Sequence, residues 1–215
     1  MAKSIKKGLF ITLEGTEGSG KTTQSKMLTA FLKKKGYKVL HIWDPGSTQT
    51  GEAIRNILLT PGKRVSALSE TMLYMAARAQ LVDELILPAL KKEKIVICDR
   101  FVDATVCYQG HGLGIDIKTI NKLNKIVTKK RMPDITFFLD ANVKRGLSRC
   151  ETVKGYKDRI EQRSYNFHSR VRNGYLKLAK KFPRRFKKIS IEKNDKNATQ
   201  AVIQEKVLSE LKRIK

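Results

Sequence analysis

Apolar residues recur along this chain with two alternating periods. Short runs of β-forming residues at Leu9–Leu13, Val39–Ile42, Ile95–Cys98, Ile135–Leu139 and Ile189–Ile191 read as strands, too continuously apolar to have one face in water. Between them apolar positions return every three to four residues. That spacing predicts helices over Lys21–Lys35, Ser69–Lys91, Ile117–Thr128, Val143–Cys150, Glu161–Lys181 and Ala198–Lys212, with a shorter one, Glu52–Leu59, between Pro45-Gly46 and Pro61-Gly62. Strands alternating with helices make βαβ units, so the expected fold class is α/β: a five-stranded parallel sheet covered by helices on both faces, a three-layer sandwich. No repeat or low-complexity linker divides residues 1–215, which read as one domain. A parallel sheet binds its ligand beyond the carboxyl ends of the strands. The residues there are polar: Trp43-Asp44-Pro45-Gly46 after the second strand, Asp99-Arg100 after the third, Asp140 after the fourth.

The first strand runs into Gly15-Thr16-Glu17-Gly18-Ser19-Gly20-Lys21-Thr22, followed by Thr23 and the first helix. Strand, glycine loop and helix are the setting in which this spacing cradles phosphates. The glycines let successive N–H groups converge on one anion, and the helix N-terminus adds its partial charge. Lys21 is placed to reach the β- and γ-phosphates of a nucleoside triphosphate, and the Thr22 hydroxyl to ligate Mg²⁺. Asp99 has the position of a Walker-B-like acid that holds the metal, although an N-cap for the following helix is the other role such a residue takes. Arg100 beside it can clamp a second phosphate. No Asn-Lys-x-Asp guanine-reading motif is present, which favours a phosphotransferase with two phosphate-bearing substrates over a GTPase switch.

Composition changes this picture little. Lys and Arg number 45 against 20 acidic residues, a formal charge of +25. That invites a nucleic-acid reading, but the charge is spread along the chain and phosphorylated small molecules also favour basic sites. Nucleic acid is therefore not expected as a specific partner. Cys98, Cys107 and Cys150 are odd in number and form no CxxC pair, and His41, His111 and His168 show no metal-ligand spacing. With no signal-peptide pattern and no segment of membrane-spanning length, the expected location is cytoplasmic.

Several separated motifs, Gly15–Thr22, Pro45-Gly46, Leu73-Tyr74-Met75-Ala76-Ala77-Arg78, Asp99-Arg100-Phe101, Tyr108-Gln109-Gly110, Met132-Pro133-Asp134 and Asp158-Arg159-Ile160-Glu161, occur in the order and spacing of a bacterial-type thymidylate kinase. The resemblance runs from about Gly8 to the C-terminus. It implies Mg²⁺-dependent transfer of the ATP γ-phosphate to dTMP, with a homodimer that the Ser69–Lys91 helix could serve. By the same resemblance Tyr74 stacks on thymine where the family usually has Phe. Arg78 donates to a base carbonyl, and Thr105 and Gln109 meet the base edge. Glu17 orients the deoxyribose hydroxyl. The phosphate loop lacks the Arg that some members carry, so a small basic lid over 149–159 is expected to supply the cations. It holds Arg149, Lys154, Lys157 and Arg159 with Gly155 as hinge; Arg159 is expected at the phosphates and Arg149 near the adenine.

One departure stands out. Where the family usually reads Arg-Glu-Pro-Gly-Gly, this chain reads Trp43-Asp44-Pro45-Gly46-Ser47. Asp44 keeps the carboxylate, but a neutral indole cannot replace a guanidinium that grips a phosphate. Losing one such contact costs about 1.5–3 kcal/mol. Arg100, alone or with Arg55, would carry the acceptor phosphate; the alternatives are a different monophosphate acceptor or an ATP-binding protein associated with nucleic acid.

Overall fold

A computed structural model describes residue 3, residues 5–191 and residues 195–214, with the side chains of residues 153 and 154 outside that description. Five strands, β1 Leu9–Glu14, β2 Val39–Trp43, β3 Ile95–Asp99, β4 Ile135–Asp140 and β5 Phe186–Ser190, form one sheet in the order β2-β3-β1-β4-β5. All neighbours are parallel. The central strands β1, β3 and β4 are buried along their whole length, as their unbroken apolar runs require, whereas edge strands β2 and β5 are partly exposed. β5 begins three residues before the apolar run that predicted it, because Lys187 and Lys188 on an edge strand need not be apolar.

Alternation along β1 sorts its side chains between the layers. Leu9, Ile11 and Leu13 join Leu28, Leu32, Ile203 and Val207, the inward faces of α1 (Lys21–Lys34) and α9 (Lys196–Arg213). Phe10 points the other way, into a cluster with Val96, Phe101, Leu81 and Ile86. Thr12, also on that opposite face, is satisfied by a 2.8 Å hydrogen bond to Thr136 of β4. The remaining helices are α2 Gln49–Leu59, α3 Ala67–Leu81, α4 Leu87–Lys91, α5 Val102–Thr105, α6 Ile117–Val127, α7 Val143–Lys154 and α8 Tyr165–Lys181.

The helix expected over Ser69–Lys91 is interrupted by a π-helical turn, Val82–Ile86, between α3 and α4. Pro88 has no N–H for the carbonyl four residues earlier, and the wider turn just before it absorbs the mismatch: Leu87 N–H donates five residues back, to Val82. A second π-helical segment, Val106–Gly112, continues α5. Its glycines hid it from the sequence pattern.

Parallel topology also sorts the charge. Each helix that precedes a strand ends at the strands' amino ends, away from the carboxyl-end loops. Cations there meet the negative pole of the helix: Lys33 and Lys34 in α1, Lys91 in α4, Lys125 in α6, Lys180 and Lys181 in α8. Among the described residues no helix is long and apolar enough to cross a membrane.

Candidate active site

The sheet register aligns Leu13, Trp43 and Asp99 at the carboxyl ends of β1, β2 and β3, where a cleft of about 630 Å³ opens. Gly20, at φ 91°, is the N-cap of α1 and supplies no side-chain acceptor, so the first-turn N–H groups remain available to an anion. At Gly18, φ 64°, a Cβ would come within 2.0 Å of the Gly146 carbonyl oxygen. A Cβ on Gly146 would come within 2.2 Å of the Glu17 carbonyl oxygen. Helix α7 thus rests on the phosphate loop backbone to backbone, a contact no sequence motif announced. Gly15, Thr16 and Ser19 complete the loop, and Lys21 lies across it, Nζ donating to the Thr16 carbonyl at 2.8 Å. Burial lowers the Lys21 pKa and Arg100 adds to the effect, against the pull of Glu17 and Asp99. The Thr22 hydroxyl donates to Asp99 Oδ2, which brings the two expected metal-holding oxygens together.

Arg100 adopts the left-handed region, φ 69°, while its N–H donates to the Leu13 carbonyl at 3.0 Å. This geometry lays the guanidinium against the phosphate loop. Nη1 donates to the Gly15 carbonyl at 3.0 Å and Nη2 to Glu17 Oε2 at 2.8 Å, with the Tyr108 ring 4.8 Å below. The Tyr108 hydroxyl donates to the other Glu17 oxygen at 2.8 Å. Burial alone would raise the Glu17 pKa. Arg100, Lys21 and the Tyr108 hydrogen bond overcome it and bring the carboxyl down to about 2. Beneath them Glu14 accepts from the Phe101 N–H and from the Tyr175 hydroxyl. Burial, reinforced by Asp103, pushes its pKa up to about 8.

A smaller cavity adjoins the cleft, and Asp44, Tyr74 and Arg100 line both. Arg78, Thr105 and Gln109 line the smaller one. Arg78 is fully buried: Nε donates to Asp44 Oδ2 at 2.6 Å, Nη1 to Thr105 Oγ1 at 2.8 Å and Asn124 Oδ1 at 2.9 Å, and Nη2 to the Phe101 carbonyl at 3.2 Å. A guanidinium has five N–H groups, so one on Nη2 remains beyond these bonds.

Of the expected site residues, Glu17, Gly18, Gly20, Lys21, Thr22, Thr23, Asp44, Tyr74, Asp99, Arg100 and Arg149 line the main cleft. Arg159 does not. Its Nε donates to the Leu58 carbonyl and its Nη2 to Glu70 Oε2, both at 2.6 Å. The segment expected as a lid is divided: Arg149 stands on α7, which continues to Lys154, and Gly155 closes that helix at φ 72°. The Lys154 side chain lies outside the described residues, and Lys157 pairs with Glu151 at 2.8 Å. Trp43, 41% exposed, turns its indole N–H to Glu52 Oε1 at 2.8 Å, an oxygen that also accepts from the Ser47 N–H at 2.8 Å. Sequence reasoning missed Glu70, although it precedes Tyr74 and Arg78 in one i, i+4, i+8 row of α3.

A glycine loop for one polyphosphate, joined through a shared arginine to a second, smaller cavity, defines a P-loop nucleoside monophosphate kinase, a phosphotransferase that uses ATP. The thymidylate kinase family model matches residues 13–203, and the chain belongs to that family. It is 45% identical over 180 residues to the thymidylate kinase of Thermoanaerobacter sp. (strain X514), covering 84% of this chain and 88% of the relative. With the thymidylate kinase of Citrifermentans bemidjiense it shares 47% identity over 185 residues, covering 83% and 82%. The crystal structure of thymidylate kinase from Ehrlichia chaffeensis superposes with a TM-score of 0.76 at 36% identity, covering 94% of this chain and 99% of that one.

Proposed function

We propose that this chain transfers the γ-phosphoryl group of ATP to dTMP, releasing ADP and dTDP. Arg100 carries the reading: it lines both cavities and is bonded to the phosphate loop and to Glu17 at once. ATP phosphates on the loop N–H groups and Lys21 would face a dTMP phosphate at Arg100. The attacking phosphate oxygen is already a nucleophile at neutral pH, so catalysis needs positioning and charge neutralisation rather than a general base. Tyr74 would stack on the base, the remaining Arg78 N–H would donate to a base carbonyl, and Thr105 and Gln109 would meet the base edge. Glu17, ionised and held by Arg100, would accept from the deoxyribose hydroxyl.

Mg²⁺ fits the donors present. Thr22 and Asp99 offer two adjacent hard oxygens, and among the described residues no cluster of His, Cys, Asp and Glu forms an all-protein cage. Mg²⁺ binds through one or two such groups together with phosphates and waters. When bound it neutralises phosphate charge. Arg149 is the lid cation that lines the cleft; for Arg159 to act at the phosphates it would leave Glu70. Arg55, which lines the cleft and donates to the Pro45 carbonyl at 2.9 Å, is the further cation for the acceptor phosphate in place of the missing family Arg. Pairing with a second copy is favoured by the exposed row Leu68, Met72 and Ala76 on α3, and the three free cysteines suit a cytoplasmic location.

An ADP-release assay with ATP, Mg²⁺ and each nucleoside monophosphate in turn tests the assignment. dTMP as the best acceptor is expected; turnover confined to another monophosphate would overturn it.

A further inference from the structure

Glu70 is fully buried in the first turn of α3, and its carboxylate is shared among three donors. Oε2 accepts from Arg159 Nη2 and Arg163 Nη2, each at 2.6 Å, while Oε1 accepts from Gln109 Nε2 at 2.9 Å. A carboxylate only accepts, so the Gln109 group that faces it is the NH₂ and not the carbonyl. The two guanidiniums occupy Oε2 and leave Oε1 to the amide. Gln109 is itself buried and lines the smaller cavity. One of the two N–H groups of its NH₂ is bound to Glu70, which fixes the orientation of the amide and with it the position of the carbonyl oxygen, its acceptor for a ligand.

We infer that Glu70 is a positioning residue for acceptor specificity: by holding the Gln109 NH₂, it makes Gln109 present a hydrogen-bond acceptor to the base edge. The inference rests on the base-pocket reading above. Thymine carries a donor at N3, which that acceptor matches. A cytosine ring carries an acceptor at the same place and leaves two lone pairs opposed, and a buried site that cannot pair its polar groups discriminates strongly. Arg78 sets the neighbouring position as a donor, since every group it has is an N–H. Glu70 and Arg78 stand in one row of α3 and together fix an acceptor beside a donor, complementary to N3–H and O4 of thymine. The arginines on Oε2 have a part in this: they come from the segment 158–163, so that segment and the base pocket share one carboxylate.

The test compares dTMP with 5-methyl-dCMP, which keeps the methyl group and changes only the hydrogen-bonding edge. In Glu70→Gln the new side chain can donate to the Gln109 carbonyl and let that amide turn over. The ratio of kcat/KM for dTMP to that for 5-methyl-dCMP is expected to fall about tenfold or more, with KM for ATP unchanged. Loss of activity in equal proportion on both acceptors by the folded variant would overturn the inference, since a merely structural role predicts that result. Gln109→Met separates the two readings: a raised KM for dTMP keeps the base-edge contact, whereas no effect sinks that contact and the role of Glu70 with it. If Glu70→Gln does not fold, the wild-type protein still decides. Its Gln109 side-chain NH₂, assigned in ¹⁵N spectra by its loss in Gln109→Met, is expected to exchange slowly with solvent; a freely exchanging NH₂ would overturn the inference.

Discussion

Arg100 Nη2 and Glu17 Oε2 meet at 2.8 Å, with both side chains largely buried, at the point where the phosphate loop faces the end of β3. The pair fixes the guanidinium between two cavities before any substrate arrives, so little reorganisation is left for the moment of transfer. Its protonation behaviour gives a first prediction. Glu17 titrates at about 2 against an ordinary 4.5, so its stabilising contribution is present above pH 4.5 and lost as pH falls from there toward 2. Glu14, raised from 4.5 to about 8, has the opposite sign: its contribution is complete below pH 4.5 and lost as pH rises toward 8. Glu14→Gln should therefore flatten the decline in Tm between pH 5 and 8, and Glu17→Gln should flatten the decline below pH 4.5. Thermal melts across pH check both, and identical slopes in wild type and variants would contradict them.

Lys21 reaches back over its own loop and contributes to no hydrophobic cluster, so its removal should separate catalysis from folding. Lys21→Ala is expected to lower kcat by about 10²–10³ while Tm stays within about 2 °C. A near-normal rate would remove Lys21 from the phosphate site.

The two arginines expected of a lid should behave differently because, of the pair, Arg149 alone lines the cleft. Arg149→Ala is expected to raise KM for ATP about tenfold, the loss of one charge-assisted contact. Arg159→Ala leaves Glu70 with one fewer partner and should chiefly lower stability, by about 1–3 kcal/mol, as read by denaturant melts. A hundredfold loss of kcat in Arg159→Ala with unchanged stability would mean that Arg159 leaves Glu70 during turnover.

Trp43 stands where the resemblance to thymidylate kinases places an arginine, and Glu52 binds its indole. A guanidinium put back there would meet that carboxylate before any phosphate. Trp43→Arg alone should change KM for dTMP by less than about threefold, whereas Trp43→Arg with Glu52→Gln should lower it about fivefold or more. Equal effects in the single and double variants would show that Glu52 does not capture the new side chain.

Much of this protein was decided locally and was legible in the chain. The buried central strands, the glycine loop before Lys21, the helix bearing Tyr74 and Arg78, and the Asp99-Arg100 pair follow from periodicity and spacing, because each is a property of neighbours in sequence. The π-helical segment at Val106–Gly112 was not legible, since three-to-four-residue periodicity does not describe a helix whose hydrogen bonds span five residues, and its glycines mimic a loop. Only the folded sheet decided which charges meet. Arg159 had the composition of a lid cation, but tertiary packing brings it to Glu70, distant in sequence, where a buried carboxylate competes for it more strongly than an open cleft. The same is true of Gly146 on Gly18, Glu52 on Trp43 and Tyr108 on Glu17. Pairings between distant segments depend on how parallel strands and their crossover helices stack, and no local pattern encodes that arrangement.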